Sequence, residues 1–243
     1  MKAIILAAGQ GTRMRPLTQN CPKPLVVLGR RTLLDHVVSQ LPSEVDELII
    51  VVGYLGNMVR QYCGDIFHSR SVKYVEQPDP QGTFHALMLT KHLLKPGERF
   101  FVMLADDLHG KAAFKECLKY QRALIVSQVD DARPYGVVEI DTAGNLLDIQ
   151  EKPEYPKTNM VSTGTFLLDY NIFKYSAPRH PKKGEYFLPS AVKYMIEHYP
   201  VKVVQASFWY PITTPEDVLY AEFTRSKNSN LRKALVKGGT WKF

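Results

Sequence analysis

Residues 2–13 read KAIILAAGQGTR, an apolar run that passes directly into small residues and two glycines. The run from Ala3 to Ala7 does not alternate between apolar and polar residues, which is typical of a β-strand that is covered on both faces. Glycines after such a strand let the backbone approach a ligand closely, and successive N–H groups in the loop can form a concave anion site. The stretch therefore predicts a buried strand followed by a phosphate-binding loop.

The letters after this strand exclude two common phosphate loops. Met14 stands where a GxGxxG motif has its third glycine, and no Gly-Lys-Ser or Gly-Lys-Thr triplet follows. Pro16 prevents an immediate regular helix, so we expect an open loop that holds Arg13 and Arg15 over bound phosphates. Lys23 follows between two prolines, whose restricted backbone suits a lysine that must point at one place.

The first half of the chain alternates short apolar runs with amphipathic stretches. The predicted strands are Lys2–Ala7, Glu47–Val52, Val72–Glu76 and Phe100–Leu104. The predicted helices between them are Leu33–Gln40, Leu55–Cys63 and Phe84–Leu93. This alternation predicts an α/β fold, Rossmann-like, with a mixed, mostly parallel central sheet and helices on both faces.

The second half predicts a less regular, mixed region after residue 130. Its predicted strands are Leu124–Val129, Val137–Ile140, Leu146–Gln150, Phe166–Leu168 and Val201–Ala206, with residues 141–145 as a hairpin turn. A helix is predicted over Phe187–Tyr199, and a last helix is predicted to start near Thr214, where a threonine N-cap precedes a proline and two acids.

Composition excludes several classes of protein. With 45% hydrophobic and 23% charged residues in 243, the chain is close to the average of soluble globular proteins, which excludes disorder, collagen and coiled-coil rods. Three scattered cysteines argue against a disulfide framework and a cysteine-based zinc site. No signal peptide and no apolar stretch of about 18 residues is evident, so we expect a cytoplasmic protein without a membrane span.

Most of the net charge of +7 lies in the C-terminal part of the chain. From Phe223 to the C-terminus the chain has no acidic residue and six basic ones: Arg225, Lys227, Arg232, Lys233, Lys237 and Lys242. Because the whole chain has 31 basic and 24 acidic residues, the rest is nearly neutral. Nucleic acid is therefore disfavoured as a partner. The tail is interpreted as a solvated helix end, with an acidic partner surface as the alternative.

Residues 6–18 and 22–25 resemble the signature of the sugar-1-phosphate nucleotidyltransferases, L-A-A-G-x-G-T-R-[ML]-x-P-L-T followed by P-K-P-L. Weaker matches to this family continue through most of the chain. The resemblance implies the nucleotide-diphospho-sugar transferase type of fold in one domain. In that domain residues 1–130 would bind the nucleotide, 131–222 would bind the sugar phosphate, and 223–243 would form the basic tail.

In that family a sugar 1-phosphate oxygen attacks the α-phosphorus of a nucleoside triphosphate in line, and pyrophosphate leaves. The resemblance implies catalytic roles for Arg13 on pyrophosphate, Lys23 on the α-phosphate, and Asp106 as the ligand of a Mg²⁺ cofactor. The implied nucleotide-binding residues are Leu6, Ala8, Gly9, Gly11, Thr12, Gln77, Gly82 and Thr83. The implied sugar-phosphate-binding residues are Gly136, Glu151, Lys152, Thr163 and Gly164.

The chain departs from the family pattern where the family carries a second acidic metal ligand. The family motif is W-x-D-[IV]-G-T-P, and in this chain Pro211 stands in place of its aspartate. Asp107 is a weak substitute for that ligand, because neighbouring residues of a strand point to opposite faces of the sheet. A paralogue that binds nucleotide or sugar phosphate without turnover is therefore the alternative to an enzyme. Structural roles also stay open for Asp106 as a strand end, for Gln77 as a strand-end polar residue, and for Lys152 at a hairpin end.

The resemblance also bears on the substrates, which are a nucleoside triphosphate and a sugar 1-phosphate. Thr83 after Gly82 is similar to family members that use UTP, and the Asp106–Asp107 pair is similar to glucose-1-phosphate uridylyltransferases. The opening stretch is equally similar to thymidylyltransferases. UTP or dTTP with glucose 1-phosphate is therefore the first expectation, and GTP with mannose 1-phosphate is the alternative. Association into a homo-oligomer stays open.

Overall fold

The computed structural model describes residues 1–181 and 183–227. The strands within these residues are β1 (Lys2–Ala7), β2 (Val27–Leu28), β3 (Arg31–Thr32), β4 (Glu47–Val52), β5 (Ile66–Phe67), β6 (Arg70–Glu76), β7 (Arg99–Leu104), β8 (Asp107–His109), β9 (Ala123–Gln128), β10 (Gly136–Ile140), β11 (Leu146–Glu151), β12 (Met160–Asp169), β13 (Lys202–Gln205) and β14 (Trp209–Pro211). The helices are α1 (Leu33–Val38), α2 (Gly56–Cys63), α3 (Thr83–Leu89), α4 (Lys111–Cys117), α5 (Leu188–Met195) and α6 (Pro215–Lys227).

Within the described residues, a ten-stranded mixed sheet forms the centre of the fold. Its main path runs β11-β10-β12-β7-β1-β4-β6-β5, and β9 pairs with β12 and β13. The central strands β7, β1, β4 and β6 are parallel, so their carboxyl ends meet at one edge of the sheet. The register pairs Leu6 of β1 with Val51 of β4 and Leu104 of β7, which brings the segments after these strands together.

Both faces of the sheet are covered, as the continuous apolar run of β1 predicts. Ala3 and Ile5 pack into a core that includes residues of α1, α2 and α4. Ile4 faces the opposite core, which includes residues of α3 and α5. Ile4 and Ile5 are fully buried, and each such side chain contributes about 1.5–3 kcal/mol relative to an exposed position. The predicted α/β architecture, with helices on both faces of a mostly parallel sheet, is confirmed.

Three predicted elements have a boundary four or more residues from its predicted position. Helix α5 spans Leu188–Met195 instead of Phe187–Tyr199, and a turn follows it, in which the Tyr199 N–H donates to the carbonyl of Met195 at 3.0 Å. Strand β12 spans Met160–Asp169 instead of Phe166–Leu168, and its register against β9 shifts between Ser162 and Phe166. The shift surrounds Gly164, whose φ is 75°, so a polar bulge hides the first half of this strand from hydrophobic patterning. Helix α3 ends at Leu89 instead of Leu93, where the Thr90 hydroxyl donates to the carbonyl of Leu87 at 2.7 Å.

Other elements lie close to their predicted positions or were not predicted. Helix α6 begins at Pro215 behind a capping pair, in which the Thr214 N–H donates to Asp217 Oδ2 at 2.8 Å. Helix α4 was not predicted. The small sheet of β8 and β14 was also missed, because each of its strands is only three residues long. No helix within residues 1–181 and 183–227 is both long and apolar enough to cross a membrane. Most of the predicted basic tail lies outside the described residues.

Candidate active site

The loop after β1 has the open form that its glycines and Pro16 predict. Gly11 adopts a left-handed conformation (φ 61°, ψ 35°), and only a short 3₁₀ turn, Thr12–Met14, follows it. A Cβ atom at Gly11 would lie 3.1 Å from Lys23 Cβ, so the glycine also permits close approach of the lysine segment. The buried side chain of Met14 anchors the turn in the protein interior.

A cleft of about 420 Å³ opens at the carboxyl ends of β1, β6 and β7. Open α/β sheets place their ligands at this edge, outside the carboxyl ends of the strands. Every predicted catalytic and nucleotide-binding residue lines the cleft: Leu6, Ala8, Gly9, Gly11, Thr12, Arg13, Lys23, Gln77, Gly82, Thr83 and Asp106. Arg15, which was expected over the phosphates, is not among the lining residues.

Lys23 and Asp106 form an ion pair on the wall of the cleft. Lys23 begins a 3₁₀ turn, and the extended conformation of Pro22 (φ −67°, ψ 142°) sets the direction from which the chain enters it. The exposed fractions of the two side chains are 12% for Lys23 and 21% for Asp106, so both remain accessible from the cleft. The pair places a cation and an oxygen ligand side by side where the phosphates of a nucleotide would lie.

Gln77 also lines the cleft, and its amide is held in one orientation. Its Nε2 donates to the carbonyl of Gly82 at 3.2 Å and to His85 Nδ1 at 2.9 Å. Both N–H groups of the amide are therefore used within the protein, and Oε1 remains as an acceptor for a ligand. His85 acts as a support for Gln77 and is not among the residues that line the cleft.

Asp107 does not share the cleft with Asp106. It is only 4% exposed, and Trp209 Nε1 donates to its Oδ2 at 3.2 Å. Burial, followed by the charge of Asp106, raises the pKa of Asp107 well above its usual value, while Lys23 and the Trp209 hydrogen bond oppose the rise. Pro211, which replaces the family's aspartate, pairs with Asp107 in the β8–β14 ladder and has no ligand atom in its side chain.

The donor set fits a metal ion that is shared with a substrate. Among the described residues, no group of three or more histidine, cysteine, aspartate or glutamate side chains could hold a metal ion. Mg²⁺ keeps several waters and commonly binds through one or two carboxylates together with substrate phosphates. Asp106 could meet this need, because it lines the cleft together with the loop after β1.

The five predicted sugar-phosphate residues lie outside the lining of the cleft. The Thr163 hydroxyl donates to the carbonyl of Ile125 at 3.0 Å, and a Cβ atom at Gly164 would lie 2.8 Å from Leu104 Cδ1. A Cβ atom at Gly136 would lie 3.2 Å from Glu151 Oε2. These contacts lie within the protein, and contact of Thr163, Gly164 and Gly136 with a sugar phosphate stays a prediction.

Glu151 and Lys152 form an adjacent pair at the end of β11, with Lys152 Nζ 3.2 Å from Glu151 Oε1. Burial raises the pKa of the Glu151 carboxyl, and the charges of Lys152 and His180 oppose the rise. The charge of Glu185, a residue that lines the cleft, raises the pKa of the same carboxyl further.

The structure adds residues that the sequence did not single out for this site. Thr213 lines the cleft, and its N–H and hydroxyl donate to Asp217 Oδ2 at 2.7 and 2.8 Å. Gly53, after β4, lies behind the cleft, where an added Cβ would be 2.7 Å from the carbonyl oxygen of Ala8 and 2.9 Å from that of Gln77. A glycine directly after a buried strand is the signal that could have found Gly53.

The chain has clear relatives among known proteins. A sequence profile described as nucleotidyl transferase matches residues 2–227. The chain is 32% identical over 223 residues to the bifunctional protein GlmU of Methanocaldococcus jannaschii, a match that covers 91% of this chain and 53% of that protein. It is 33% identical over 206 residues to UTP–glucose-1-phosphate uridylyltransferase AglF of Haloferax volcanii, which covers 81% of this chain and 84% of that protein. The chain thus spans about half the length of its bifunctional relatives.

Solved structures have the same fold. A protein from Bacillus anthracis described as a glucose-1-phosphate thymidylyltransferase, in complex with sucrose, superposes with a TM-score of 0.80 at 25% identity, covering 94% of this chain and 96% of that one. A UDP-glucose pyrophosphorylase complexed with UDP-glucose superposes with a TM-score of 0.81 at 23% identity, covering 93% and 98% of the two chains. The second similarity concerns the fold alone.

Proposed function

Because the chain belongs to the nucleotidyl transferase family, we propose that it transfers a nucleotidyl group from a nucleoside triphosphate to a hexose 1-phosphate. One observation carries the proposal: the phosphate loop, Arg13, Lys23 and Asp106 all line one cleft. Two polyanionic substrates repel each other, so the reaction needs positive charge and positioning more than it needs a nucleophilic side chain. The cleft supplies both.

In the proposed reaction an oxygen of the sugar phosphate forms a bond to the α-phosphorus. The bond from that phosphorus to the oxygen that bridges to the β-phosphate breaks, and pyrophosphate leaves with the electron pair. Backbone N–H groups of Gly9 and Gly11 and the guanidinium of Arg13 bind the departing phosphates. Lys23 binds a non-bridging oxygen of the α-phosphate, where negative charge increases in the transition state. Lys152 binds the incoming sugar phosphate.

Asp106 is the residue that would hold Mg²⁺ in this cleft. When bound, the ion would neutralise phosphate charge and so reduce the repulsion of the attacking oxygen. Asp106 would hold the ion, and Lys23, its partner in the ion pair, lies beside it and is proposed to bind the α-phosphate. The chain's own residues therefore position both charges before the substrates react.

The base is proposed to be uracil or thymine. Both present an N3–H donor, and the anchored amide of Gln77 offers Oε1 as the complementary acceptor. Guanine also presents a ring N–H, so GTP with mannose 1-phosphate remains the alternative pair. The similarity to a UTP–glucose-1-phosphate uridylyltransferase favours UTP and glucose 1-phosphate over that alternative.

The proposed division of labour follows the order of the chain. Residues 1–130 supply the loop, Gln77 and Asp106 and would bind the nucleotide. Residues 131–222 supply Lys152 and Thr213 and would bind the sugar phosphate. A paralogue that binds ligands without turnover is the second candidate, and Pro211 is the observation that favours it.

The decisive experiment combines each nucleoside triphosphate with each hexose 1-phosphate in the presence of Mg²⁺ and measures released pyrophosphate. We expect UTP or dTTP with glucose 1-phosphate to give the highest kcat/KM. The highest value for GTP with mannose 1-phosphate would support the alternative pair. Nucleotide binding without pyrophosphate from any pair would show a binding paralogue instead. Asp106→Asn should abolish turnover, whereas Asp65→Asn, at an exposed aspartate remote from the cleft, is the control.

A further inference from the structure

Lys152 has an unusual backbone conformation for a lysine. Its φ is 48°, in the left-handed region that side chains other than glycine rarely adopt. The following Pro153 narrows the allowed conformations further. The Lys152 N–H donates to the carbonyl of Tyr135 at 2.9 Å, which ties the strained residue to the neighbouring segment. Such strain persists only where the surroundings hold it, and it is concentrated at functional sites.

The ammonium of Lys152 lies over an aromatic ring. Its Nζ is 4.7 Å from the centroid of Phe187, a residue that is 6% exposed. His180 packs edge-on against the same ring, with 5.4 Å between the centroids. The ring is thus buried on one side and presents its negative face to the lysine.

Phe187 is held in place by its neighbours, which bond to residues 81–84, the segment that contains the proposed nucleotide-binding residues Gly82 and Thr83. Its neighbour Tyr186 makes two backbone hydrogen bonds, one to the loop before α3 and one to the first turn of that helix. The Tyr186 N–H donates to the carbonyl of Gln81 at 2.8 Å, and the Phe84 N–H donates to the carbonyl of Tyr186 at 2.8 Å. The Leu188 N–H donates to the hydroxyl of Thr83 at 2.9 Å. Phe187 therefore cannot move far without breaking bonds on both of its sides.

We propose that Phe187 is a positioning residue that holds the Lys152 ammonium ready for the phosphate of the sugar substrate. The inference rests on the proposed function, in which Lys152 binds that phosphate. It deepens that function by naming the residue that orients the lysine.

The chemistry of the contact suits this role. Glu151 Oε1, 3.2 Å from Nζ, occupies one side of the ammonium and would by itself draw the lysine away from a substrate. A carboxylate partner uses the N–H donors of the ammonium, of which there are three. A ring face attracts the charge without using those donors. Phe187 thus fixes where the ammonium lies and leaves donors available to the oxygens of a phosphate.

The test replaces the ring face with groups of similar size. Phe187→Leu should raise KM for the sugar 1-phosphate about fivefold, because the loss of a partly exposed cation–π contact weakens binding by about this factor. KM for the nucleotide should change less than twofold. Phe173→Leu is the matched control, since Phe173 is a buried phenylalanine of the hydrophobic cluster that includes Leu188, and its ring contacts the rings of Phe100 and Tyr170. Phe187→Tyr keeps the ring and should restore KM to near the wild-type value.

A graded series then separates electrostatics from packing. Phenylalanines with one to three fluorine atoms at position 187 keep the shape of the ring while weakening its negative face. KM for the sugar 1-phosphate should rise with each fluorine. A flat series, or an equal rise in both KM values for Phe187→Leu, would overturn the proposal and leave Phe187 as a packing residue.

A double mutant distinguishes this inference from the proposed function. In a Lys152→Met background, Phe187→Leu should have no further effect on KM for the sugar 1-phosphate, because the two residues act as one unit. A full additional fivefold loss in that background would contradict the positioning role. If Lys152→Met alone leaves that KM unchanged while turnover persists, the assignment of Lys152 in the proposed function fails first.

Discussion

The ammonium of Lys23 contacts the carboxylate of Asp106, although 83 residues separate them in the chain. Lys23 belongs to the short turn after the phosphate loop, and Asp106 follows the end of β7. The parallel pairing of β1 with β7 brings these two segments to one wall of the cleft. The pair joins the proposed α-phosphate ligand to the proposed metal ligand, so a change at one should be felt at the other.

Lys23→Ala should lower turnover by about two to four powers of ten, the usual loss for one contact made mainly in the transition state. The variant should bind nucleotide nearly normally, because the loop N–H groups and Arg13 remain. Steady-state kinetics and a nucleotide-binding titration measure the two effects. Lys91→Ala, at an exposed lysine, is the control. Near-normal turnover in Lys23→Ala would show that the family's roles are misplaced on this chain.

The nucleotide-free protein offers a second test, because Lys23 and a metal ion would share the same carboxylate. Lys23→Met should raise the affinity for Mn²⁺ about tenfold by removing a nearby like charge. Asp106→Asn should lower that affinity to the background level. Titration followed by the electron paramagnetic resonance of free Mn²⁺ measures both. Weaker Mn²⁺ binding in Lys23→Met would argue that the ion lies away from this pair.

Periodicity predicted the strands that position the nucleotide side of the cleft, and the family resemblance singled out its residues. Gly11 follows β1, Gln77 follows β6 and Asp106 follows β7, so the carboxyl ends of these strands bring the three together, while their roles stay predictions. The sugar side depends on contacts between remote segments. The contact of Lys152 with Phe187, for example, involves a left-handed backbone at Lys152, which has no periodic signal.

Gly53 should control how Ala8 and Gln77, two proposed nucleotide-binding residues, are placed in the cleft. An alanine there would place its Cβ within 3.0 Å of three atoms of Ala8 and Gln77, two of them backbone oxygens. Gly53→Ala should therefore raise KM for the nucleotide at least tenfold and leave KM for the sugar 1-phosphate within twofold. Gly64→Ala is the control, because it has a positive φ of 60° but nothing within 4 Å of an added Cβ. It should cost about 1–3 kcal/mol of stability, because the backbone of Gly64 (φ 60°, ψ −153°) lies in a region that alanine rarely adopts, without changing either KM.

His85 should act through Gln77 and not on the substrates directly. His85→Leu removes the acceptor that holds one amide N–H of Gln77, which is 2.9 Å away. The amide can then rotate and present a donor to the N3–H of uracil, so KM for UTP should rise about fivefold to tenfold with kcat nearly unchanged. Steady-state kinetics should thus show a higher KM for UTP and a nearly unchanged KM for the sugar 1-phosphate. An equal loss of kcat would instead place His85 in the chemistry.

Asp35 links the start of α1 to two distant segments. It completes a capping box with Thr32, whose N–H donates to Oδ2 at 3.0 Å. Tyr62 donates to Oδ2 at 2.6 Å, and His68 Nε2 lies 2.8 Å from Oδ1. Burial would raise the pKa of Asp35, but the hydrogen bonds from Tyr62, His68 and Thr32 outweigh it and hold the pKa well below its usual range.

A lowered pKa means that the native state favours the charged carboxylate, so its stabilising effect is full above about 3.8, the ordinary value, and is lost below it. Asp35→Asn should therefore lower the unfolding free energy by about 1–2 kcal/mol near neutral pH, because hydrogen bonds to a charged carboxylate are replaced by weaker ones to a neutral amide. The difference from the wild type should shrink as the pH falls below that value. Urea unfolding at pH 7, 5 and 3 measures it, and Asp65→Asn should stay within about 0.5 kcal/mol of the wild type at pH 7. A difference that stays constant or grows between pH 5 and pH 3 would mean that the charged carboxylate does not stabilise this cluster.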